Sequence, residues 1–342
     1  MAGTTMKLRL DPWASDYGTS LQAEEVVVGE VERVSLYVER DESEWVAIAP
    51  PHATDEWPHV LFIDGCRRID ARVFLEDERR QLAFGLLGSC AVGVASSLRD
   101  SGIHQAHFLD LWDIDQVCIL SGGHQVAAFT IDQGLASQFG ALRFRIVSTE
   151  ARELDALEGT LQSDMLRKER ALAARLIDQF PDALILCDGP RPLLGGEENV
   201  VGYVKTIRDQ KIPPEQINQV RLLEEGQRSP LYLVHTKDPR HQYYEWFLRL
   251  RDPRPWLHSF AGLVRLQALA GSAPASRLAE VVRLADWSCL QLPLFSSRQH
   301  QDPRAPQQLL PIRALESELR RRMGDTRLLR RRITSYLARQ GG

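Results

Sequence analysis

The chain of 342 residues lacks several features that would assign it to a familiar class. Its five cysteines form no CxxC pair and no repeated spacing, which argues against a zinc ribbon or a disulfide framework and favours a reducing compartment. The first residues, MAGTTMKLRLDPWASD, contain no apolar stretch of the kind that a secretory signal needs. We therefore expect a cytoplasmic protein.

Long apolar runs and phosphate-binding loops are also missing. The least polar stretch, residues 83–98, is short for a bilayer span and rich in Gly and Ser, so we expect it to be buried core. The segment GGEENVVGYVK, residues 195–205, has glycines but no GK[ST] at the required spacing. We therefore expect neither membrane association nor ATP hydrolysis by this chain.

An excess of positive charge, which would advertise a nucleic-acid partner, is absent because the formal net charge is −4. The distribution is uneven: residues 320–342 hold eight Arg and one Asp, a local charge of +7, and the rest of the chain carries −11. An acidic body with a basic tail suits a protein that holds metal ions with carboxylates and contacts phosphate elsewhere. A solvated helix on an ordinary acidic protein explains the charge equally well.

No internal repeat or long linker is visible, so we expect one domain with appendages. Its expected parts are an N-terminal β segment over 1–57, a core over 58–300 and a basic helical tail over 301–342. Further elements are expected as strands at 24–37, 117–131, 142–148 and 199–207, a hairpin of SPLYLVHTK and YYEWFLRLR, and helices at 259–286 and 314–340.

The centre of the chain has the element order of a particular fold class. The apolar run VLFIDG, residues 60–65, predicts a buried strand that ends in a turn, followed by two strands joined near Glu76–Glu78. A helix is expected from about Thr149 to Phe180, and then a second buried strand at 182–189. A meander, a helix and a strand parallel to the first one form an RNase H-like α/β arrangement, a mixed sheet with flanking helices.

Two apolar strands, 60–64 and 184–188, each end in Asp followed by Gly. If these strands are parallel neighbours, Asp64 and Asp188 emerge side by side at the edge where ligand sites of α/β sheets collect. Adjacent aspartates repel each other unless a cation lies between them, and oxygen ligands without Cys or His favour Mg²⁺ or Mn²⁺. Two such ions can activate water and stabilise the leaving oxygen of a phosphodiester. A single Asp-Gly pair would indicate only a turn.

A family resemblance is carried by FIDGCRRIDARVFLED (62–77), LILCDGPRPLLG (184–195), VVGYVKTI (200–207) and DPRAPQQLLPIRALESELRRRMGD (302–325). In this order and spacing the chain resembles the NurA nucleases. The resemblance implies a metal-dependent nuclease with an RNase H-like fold that acts on single-stranded DNA and on DNA ends, with Mn²⁺ as the expected cofactor. It also implies a homodimer that works with a HerA-type hexameric DNA translocase in end processing.

The resemblance also implies a set of site residues. Carried over by motif, Asp64, Glu169 and Asp188 would be metal ligands. Lys205 lies in an apolar strand and is a candidate for contact with the scissile phosphate, although a strand lysine that only reaches solvent is an equal alternative. Archaeal members have a further Tyr/His pair near the C-terminus; the segment LPLFSSRQHQDPRAP departs from that pattern, and His300 is the only histidine it offers.

The choice of Glu169 has a second argument, from helix geometry. Glu158 and Glu169 lie at the edge of the apolar stripe of the helix, whereas Glu153 and Asp164 lie off it and are expected to be solvated. Asp188 is about 17 Å along its strand, which an antiparallel helix covers in about 11 residues, and this places Glu169 at the same height. Glu158 would lie roughly another 16 Å away. The stripe consists of Leu154, Leu161, Met165, Leu172 and Leu176.

Two other functions remain open at this point. The chain could be a non-catalytic RNase H-like module that binds DNA or a motor ring, or it could be a junction or transposase-like nuclease of the same fold. A nuclease assay separates the first alternative from the others, and a defined junction substrate separates the second. In each case the Arg-rich residues 326–342 are expected to contribute to DNA or partner binding.

Overall fold

The computed structural model describes residues 7–10, 31–53, 57–76, 82–100, 103–124, 129–131, 141–194, 199–205, 211–252, 259–298, 300–302 and 304–340. Within these ranges the strands are β1 Lys7–Leu10, β2 Val31–Ser35, β3 His59–Glu76, β4 Leu82–Asp100, β5 Ile103–Phe108, β6 Asp113–Leu120, β7 Phe129–Ile131, β8 Leu142–Ser148, β9 Leu184–Asp188, β10 Val200–Val204, β11 Tyr232–Thr236, β12 Tyr243–Arg249 and β13 Leu263–Leu269. The α-helices are α1 Leu154–Gln179, α2 Pro214–Arg221, α3 Pro274–Phe295, α4 Leu310–Arg322 and α5 Thr326–Gln340.

All of these strands belong to one mixed sheet. Its order is β2-β11-β12-β13-β10-β9-β3-β4-β6-β8-β7, with β1 paired to β3 and β5 paired to β4. In the central part, β4 is antiparallel to both β3 and β6, whereas β9 is parallel to both β3 and β10. The path from the β3–β4–β6 meander to β9 passes through α1, because a parallel pair needs a crossover connection. The expected α/β class with a mixed sheet is confirmed.

Helices cover both faces of the central strands. Alternation along β3 sends Val60 and Phe62 into a core that includes residues of α3 and α4, and sends Leu61 and Ile63 into a second core under α1. Successive side chains of a strand point to opposite faces, so a strand covered on both faces places alternate residues in two different cores. The expected turn after Asp64 therefore does not occur: β3 continues to Glu76.

The reason for the continuous strand is the length of its partner. The ladder between β3 and β4 extends from His59 opposite Leu98 to Glu76 opposite Leu82, so the backbone on both sides of Asp64 has a partner strand. Long-range pairing of this kind overrides the local turn tendency of Asp-Gly. The third strand of the meander is β6 rather than a segment before residue 100.

Several other boundaries differ from the sequence prediction. The predicted helix 314–340 is two helices, α4 and α5, with Gly324 at a φ of 82° between them, and the predicted strand 117–131 is divided between β6 and β7. The segment 259–286 contains β13 before α3 begins at Pro274, because its apolar run is buried between β10 and β12, and a short apolar run does not distinguish strand from helix. Helix α1 begins at Leu154 instead of Thr149, whose carbonyl accepts a hydrogen bond from the Gly123 N–H at 2.9 Å. Residues 24–30, 125–128, 206 and 207 of the predicted strands lie outside the described residues.

Asp164 is not solvated as the helical stripe predicted. It is 6% exposed, and its carboxylate accepts hydrogen bonds from Arg145 at 2.6 Å and from Arg167. Arg145 belongs to β8, the strand that pairs in parallel with β6, and its side chain extends to Asp164 on α1. A partner brought by a neighbouring strand is invisible to the periodicity of the helix itself.

The basic tail is part of the core. Helix α5 contributes Leu329, Ile333 and Leu337 to a cluster with apolar residues of β3, β4, β6 and β8. Deleting 326–342 would uncover that cluster, so a truncation cannot isolate the effect of the arginines. Their role in binding is better tested by substitution of exposed residues such as Arg331. None of the described helices combines the length and the apolar character that a bilayer span requires.

Candidate carboxylate site

Two aspartates meet at one edge of the parallel pair β3–β9. Ile63 is the register partner of Cys187, so Asp64 and Asp188 follow side by side. Both side chains lie on the face to which Phe62 and Leu186 also point, because side chains alternate along a strand. Asp64 is 7% exposed and accepts a hydrogen bond from the Gly65 N–H at 2.8 Å, whereas Asp188 is partly buried.

Glu169 belongs to α1, which packs on the other face of the sheet. Its carboxylate lies against Gly65, the residue that follows Asp64. A Cβ atom at position 65 would overlap Oε1 of Glu169 and would lie 2.9 Å from Cγ of Met165. Glycine is therefore required here by close approach of a carboxylate and not by a turn. Gly189, after Asp188, is different, because its φ of 106° is a conformation that favours glycine.

Burial and neighbouring negative charge raise the pKa values of Asp64 and Glu169. Burial, and then the charges of Asp188 and Glu169, raise the pKa of Asp64 well above its usual value, against the opposing effect of Lys205. Burial, and then Asp188, raise the pKa of Glu169 to about 8. Negative charge is thus crowded into a poorly solvated place, which costs free energy unless a cation compensates it.

Lys205 lies directly after β10 and provides one such cation. Its Nζ donates to Oδ2 of Asp188 at 2.6 Å and to Oε1 of Gln308. Register pairing of Tyr203 with Asp188 brings the lysine to this edge of the sheet. The predicted residues Asp64, Glu169, Asp188 and Lys205 therefore lie together in the structure.

Residues of the segment before α4 and of α4 itself complete the surroundings, and the sequence patterns did not single them out. Glu316 contributes to the raised pKa of Asp64, and it accepts hydrogen bonds from Arg304 at 2.6 Å and Arg320 at 2.7 Å. Burial opposes ionisation of Glu316, but these arginines hold its pKa below the ordinary value. Gln308, fully buried, donates to Glu316 at 3.4 Å. Both residues lie within 302–325, one of the segments that carry the family resemblance, and this location could have indicated that they are near the site.

Other predicted residues lie elsewhere. His300 is exposed, and no described contact joins it to the carboxylates. Glu158 is 1% exposed and pairs with Arg72 at 3.1 Å, which separates it in role from Glu169. Arg67 and Arg68, which follow Gly65 in the motif 62–77, make contacts within the protein: Arg67 donates to Gln162, and Arg68 donates to the Gly324 carbonyl after α4.

A divalent cation fits the chemistry of these donors. Among the described residues, no three His, Cys, Asp or Glu side chains are arranged as a ready-made metal-binding group. The donor set of Asp64, Glu169 and Asp188 nevertheless consists of carboxylate oxygens alone, which hard divalent ions prefer. A nearby cation would also lower the raised pKa values of Asp64 and Glu169.

Comparison with known proteins identifies no relative from which a function could be inferred. No protein-family model matches the chain, and no curated protein matches its sequence. Function is therefore argued from the geometry and charge of the carboxylates, since a fold by itself does not determine activity.

We expect the metal-free protein to lose stability relative to Glu169→Gln as pH rises from about 4.5 to about 8. In this window the unfolded chain has lost the proton of Glu169 while the folded chain retains it, so folding takes up a proton and stability falls with pH. Melting curves of both proteins in EDTA should diverge through the window and become parallel above it. A difference that does not vary with pH would contradict the raised pKa. Glu153→Gln, at an exposed position beside the same helix, is the control.

We expect Gly65→Ala to destabilise the protein by about 1–3 kcal/mol, because the added methyl group overlaps Glu169 and Met165. Gly159→Ala is the matched control: a Cβ there meets no atom within 4 Å, and in a helix the change should stabilise by up to about 1 kcal/mol. Adding Glu169→Ala to Gly65→Ala should recover part of the loss in chemical denaturation. Strict additivity of the two changes would mean that the carboxylate does not occupy this space.

Proposed function

We propose that this chain is a divalent-metal-dependent nuclease that cuts DNA, built on an RNase H-like core. The strand order β6-β4-β3-β9-β10, with α1 leading from the meander to β9, supports the fold part of the proposal. The sequence predicted a meander, a helix and a strand parallel to the first strand, and the resemblance to the NurA nucleases points in the same direction.

The observation that carries the functional part is the contrast between two kinds of buried carboxylate. Asp164 and Glu316 each have two arginine partners, and Glu245 has a lowered pKa beside Arg265 and Lys211. Asp64 and Glu169 instead have raised pKa values and no described ion pair, whereas Asp70, whose pKa burial also raises, is paired with Arg68. A fold that retains such costly groups in one place is typical of a functional site.

Asp64, Glu169 and Asp188 would hold the ions, Mn²⁺ or Mg²⁺. When bound, two such ions activate a water molecule and stabilise the leaving oxygen of a phosphodiester. Lys205 is held between Asp188 and Gln308, and its charge is placed to attract a phosphate toward the carboxylates. Oδ1 of Asp188 takes no part in the bond to Lys205 and is a further donor for a cation. His300 remains a sequence-based candidate without an assigned step.

An end-labelled DNA assay tests the proposal. Single-stranded and duplex oligonucleotides are incubated with the protein in Mn²⁺, in Mg²⁺ or in EDTA, and the products are separated on a denaturing gel. We expect cleavage that needs the metal and that disappears in a parallel preparation of Asp64→Asn. Binding without cleavage would identify a non-catalytic module, and preference for a four-way junction would identify a junction nuclease.

We extend the proposal to partners on the basis of the family resemblance. The chain would act on single-stranded DNA and DNA ends as a homodimer, with a HerA-type hexameric ATPase as the motor. Light scattering of the purified chain tests the dimer. Co-purification with a HerA-type protein encoded in the same genome, and stimulation of cleavage by ATP only when that protein is present, test the motor.

A further inference from the structure

An aromatic and basic cluster, formed by Phe108, Trp112 and Arg322, lies one strand away from the carboxylates. Gly93 on β4 is the direct register partner of Asp64, and paired residues of an antiparallel ladder point to the same face. The Trp112 ring lies over this glycine: a Cβ at position 93 would be 2.7 Å from its Cε3 and Cζ3 atoms. The indole is therefore held beside Asp64, on the face where Asp64 and Asp188 project.

The cluster combines stacking surfaces with positive charge. The guanidinium carbon of Arg322 is 3.9 Å from the centroid of the Trp112 ring, and the Phe108 and Trp112 centroids are 5.7 Å apart. Phe108 is 40% exposed, and the side chain of Arg322 is 33% exposed. An exposed ring and a planar cation are thus presented together next to the proposed catalytic groups.

The charge around the cluster favours an anionic ligand. Arg321 and Arg322 share a single carboxylate, that of Glu318, to which both donate at 2.7 Å. One positive charge is therefore left on the last turn of α4. Asp110, between the two aromatic residues in sequence, is exposed to solvent and so is well screened.

We propose that the Phe108, Trp112 and Arg322 cluster binds a nucleotide of single-stranded DNA close to the phosphodiester that is cut, with the base stacked on the exposed Phe108 and a phosphate held by Arg322. This inference rests on the proposed nuclease function. Trp112 lies over β4, the strand next to that of Asp64, and Phe108 lies on β5, one strand further. At about 5 Å per strand, the cluster is within a few nucleotides of the carboxylates. Aromatic rings beside basic groups are how proteins bind unpaired bases, whereas a paired base has no free face to offer.

Equilibrium binding tests this site separately from cleavage. A fluorescein-labelled single-stranded oligonucleotide of mixed sequence is titrated with full-length protein in EDTA, and the dissociation constant is read from fluorescence anisotropy. We expect Phe108→Ala to weaken binding about 5- to 100-fold, the effect of losing one stacked base. The matched control is Phe84→Ala. Phe84 is 41% exposed and lies on β4, at the end opposite to the segment that pairs with β5, so its loss should change the constant less than about twofold.

The charge is tested by Arg322→Ala, which should weaken binding and reduce the salt slope by about one. Arg322→Lys should restore the salt slope but only part of the affinity, since lysine lacks the planar group. All variants are checked for wild-type melting curves. If an unfolded Arg322 variant prevents the comparison, the Phe108 and Phe84 pair decides.

A small phosphodiester without bases, bis(p-nitrophenyl) phosphate, separates the outcomes. We expect the wild-type protein to hydrolyse it in Mn²⁺ and Asp64→Asn not to, whereas the loss of DNA affinity in Phe108→Ala is read from the separate titration in EDTA. Wild-type DNA affinity in Phe108→Ala would overturn the inference and leave the nuclease proposal intact. Wild-type protein that binds DNA but never cleaves either substrate would overturn the nuclease proposal, and the Phe108 comparison would still decide the inference. Wild-type protein that does not bind DNA would overturn both.

Discussion

Asp64→Asn and Asp188→Asn are each expected to lower metal-dependent DNA cleavage by about three orders of magnitude or more. Each change removes one of two adjacent carboxylate charges that a divalent ion would bridge, and the loss of one preorganised electrostatic group already costs about 10²–10³ in rate. Excess Mn²⁺ can refill a weakened site but cannot replace the missing carboxylate oxygen that positions the ion, so wild-type activity should not return.

The two variants should differ in stability. Asp64 is buried with a raised pKa, so the neutral amide removes a desolvation cost and the melting temperature should be equal to or above that of the wild type. Asp188→Asn removes the ion-pair partner of Lys205 and should lower it slightly. Initial rates on end-labelled DNA and thermal melts measure both effects. Asp182→Asn, exposed before the opposite end of β9, is the control. Normal cleavage by either variant with a normal melt would place the site elsewhere.

Glu169→Gln is expected to lose Mn²⁺-dependent cleavage, and Glu158→Gln, on the same helix, is expected to keep it. Glu169 lies against Gly65 and raises the pKa of Asp64, whereas Glu158 pairs with Arg72. For stability the expectation is reversed: Glu169→Gln should keep or increase the free energy of unfolding, and Glu158→Gln should lower it. At pH 7 folding obliges Glu169 to take up a proton, a cost that glutamine avoids. Neutralising Glu158 instead weakens a buried ion pair by about 1–3 kcal/mol.

This pair of variants separates a functional carboxylate from a structural one by two independent measurements. Cleavage rates and urea denaturation of both proteins are compared with those of the wild type at pH 7. Loss of cleavage in Glu158→Gln with retention in Glu169→Gln would reverse the assignment along α1. Equal behaviour of the two variants in both measurements would mean that neither side chain acts at the carboxylates.

Local sequence patterns were sufficient for several elements. The apolar runs before Asp64 and Asp188 are buried strands that pair in parallel, and α1 ends at Gln179, beside the predicted boundary. Apolar runs of this length predict strands because they mark segments that a sheet buries. The end of the helix was predictable because Pro181 cannot continue it. The rise per residue of helix and strand was enough to place Glu169 and Asp188 at a common height, because both lengths are counted from the same short connection.

The backbone at Gly65 and the surroundings of the carboxylates depend on contacts between segments far apart in sequence, so only the tertiary structure decided them. Gly65 suggested a turn, but the long partner strand β4 keeps the backbone extended, and Glu169 from α1 takes the space of the missing side chain. Gln308 and Glu316 reach the site from more than 100 residues beyond Asp188. The sequence by itself determined that Asp64 and Asp188 follow apolar segments that pair as parallel strands. The packing of α1 and α4 on opposite faces decided what surrounds these aspartates, since no local periodicity records a partner brought by another element.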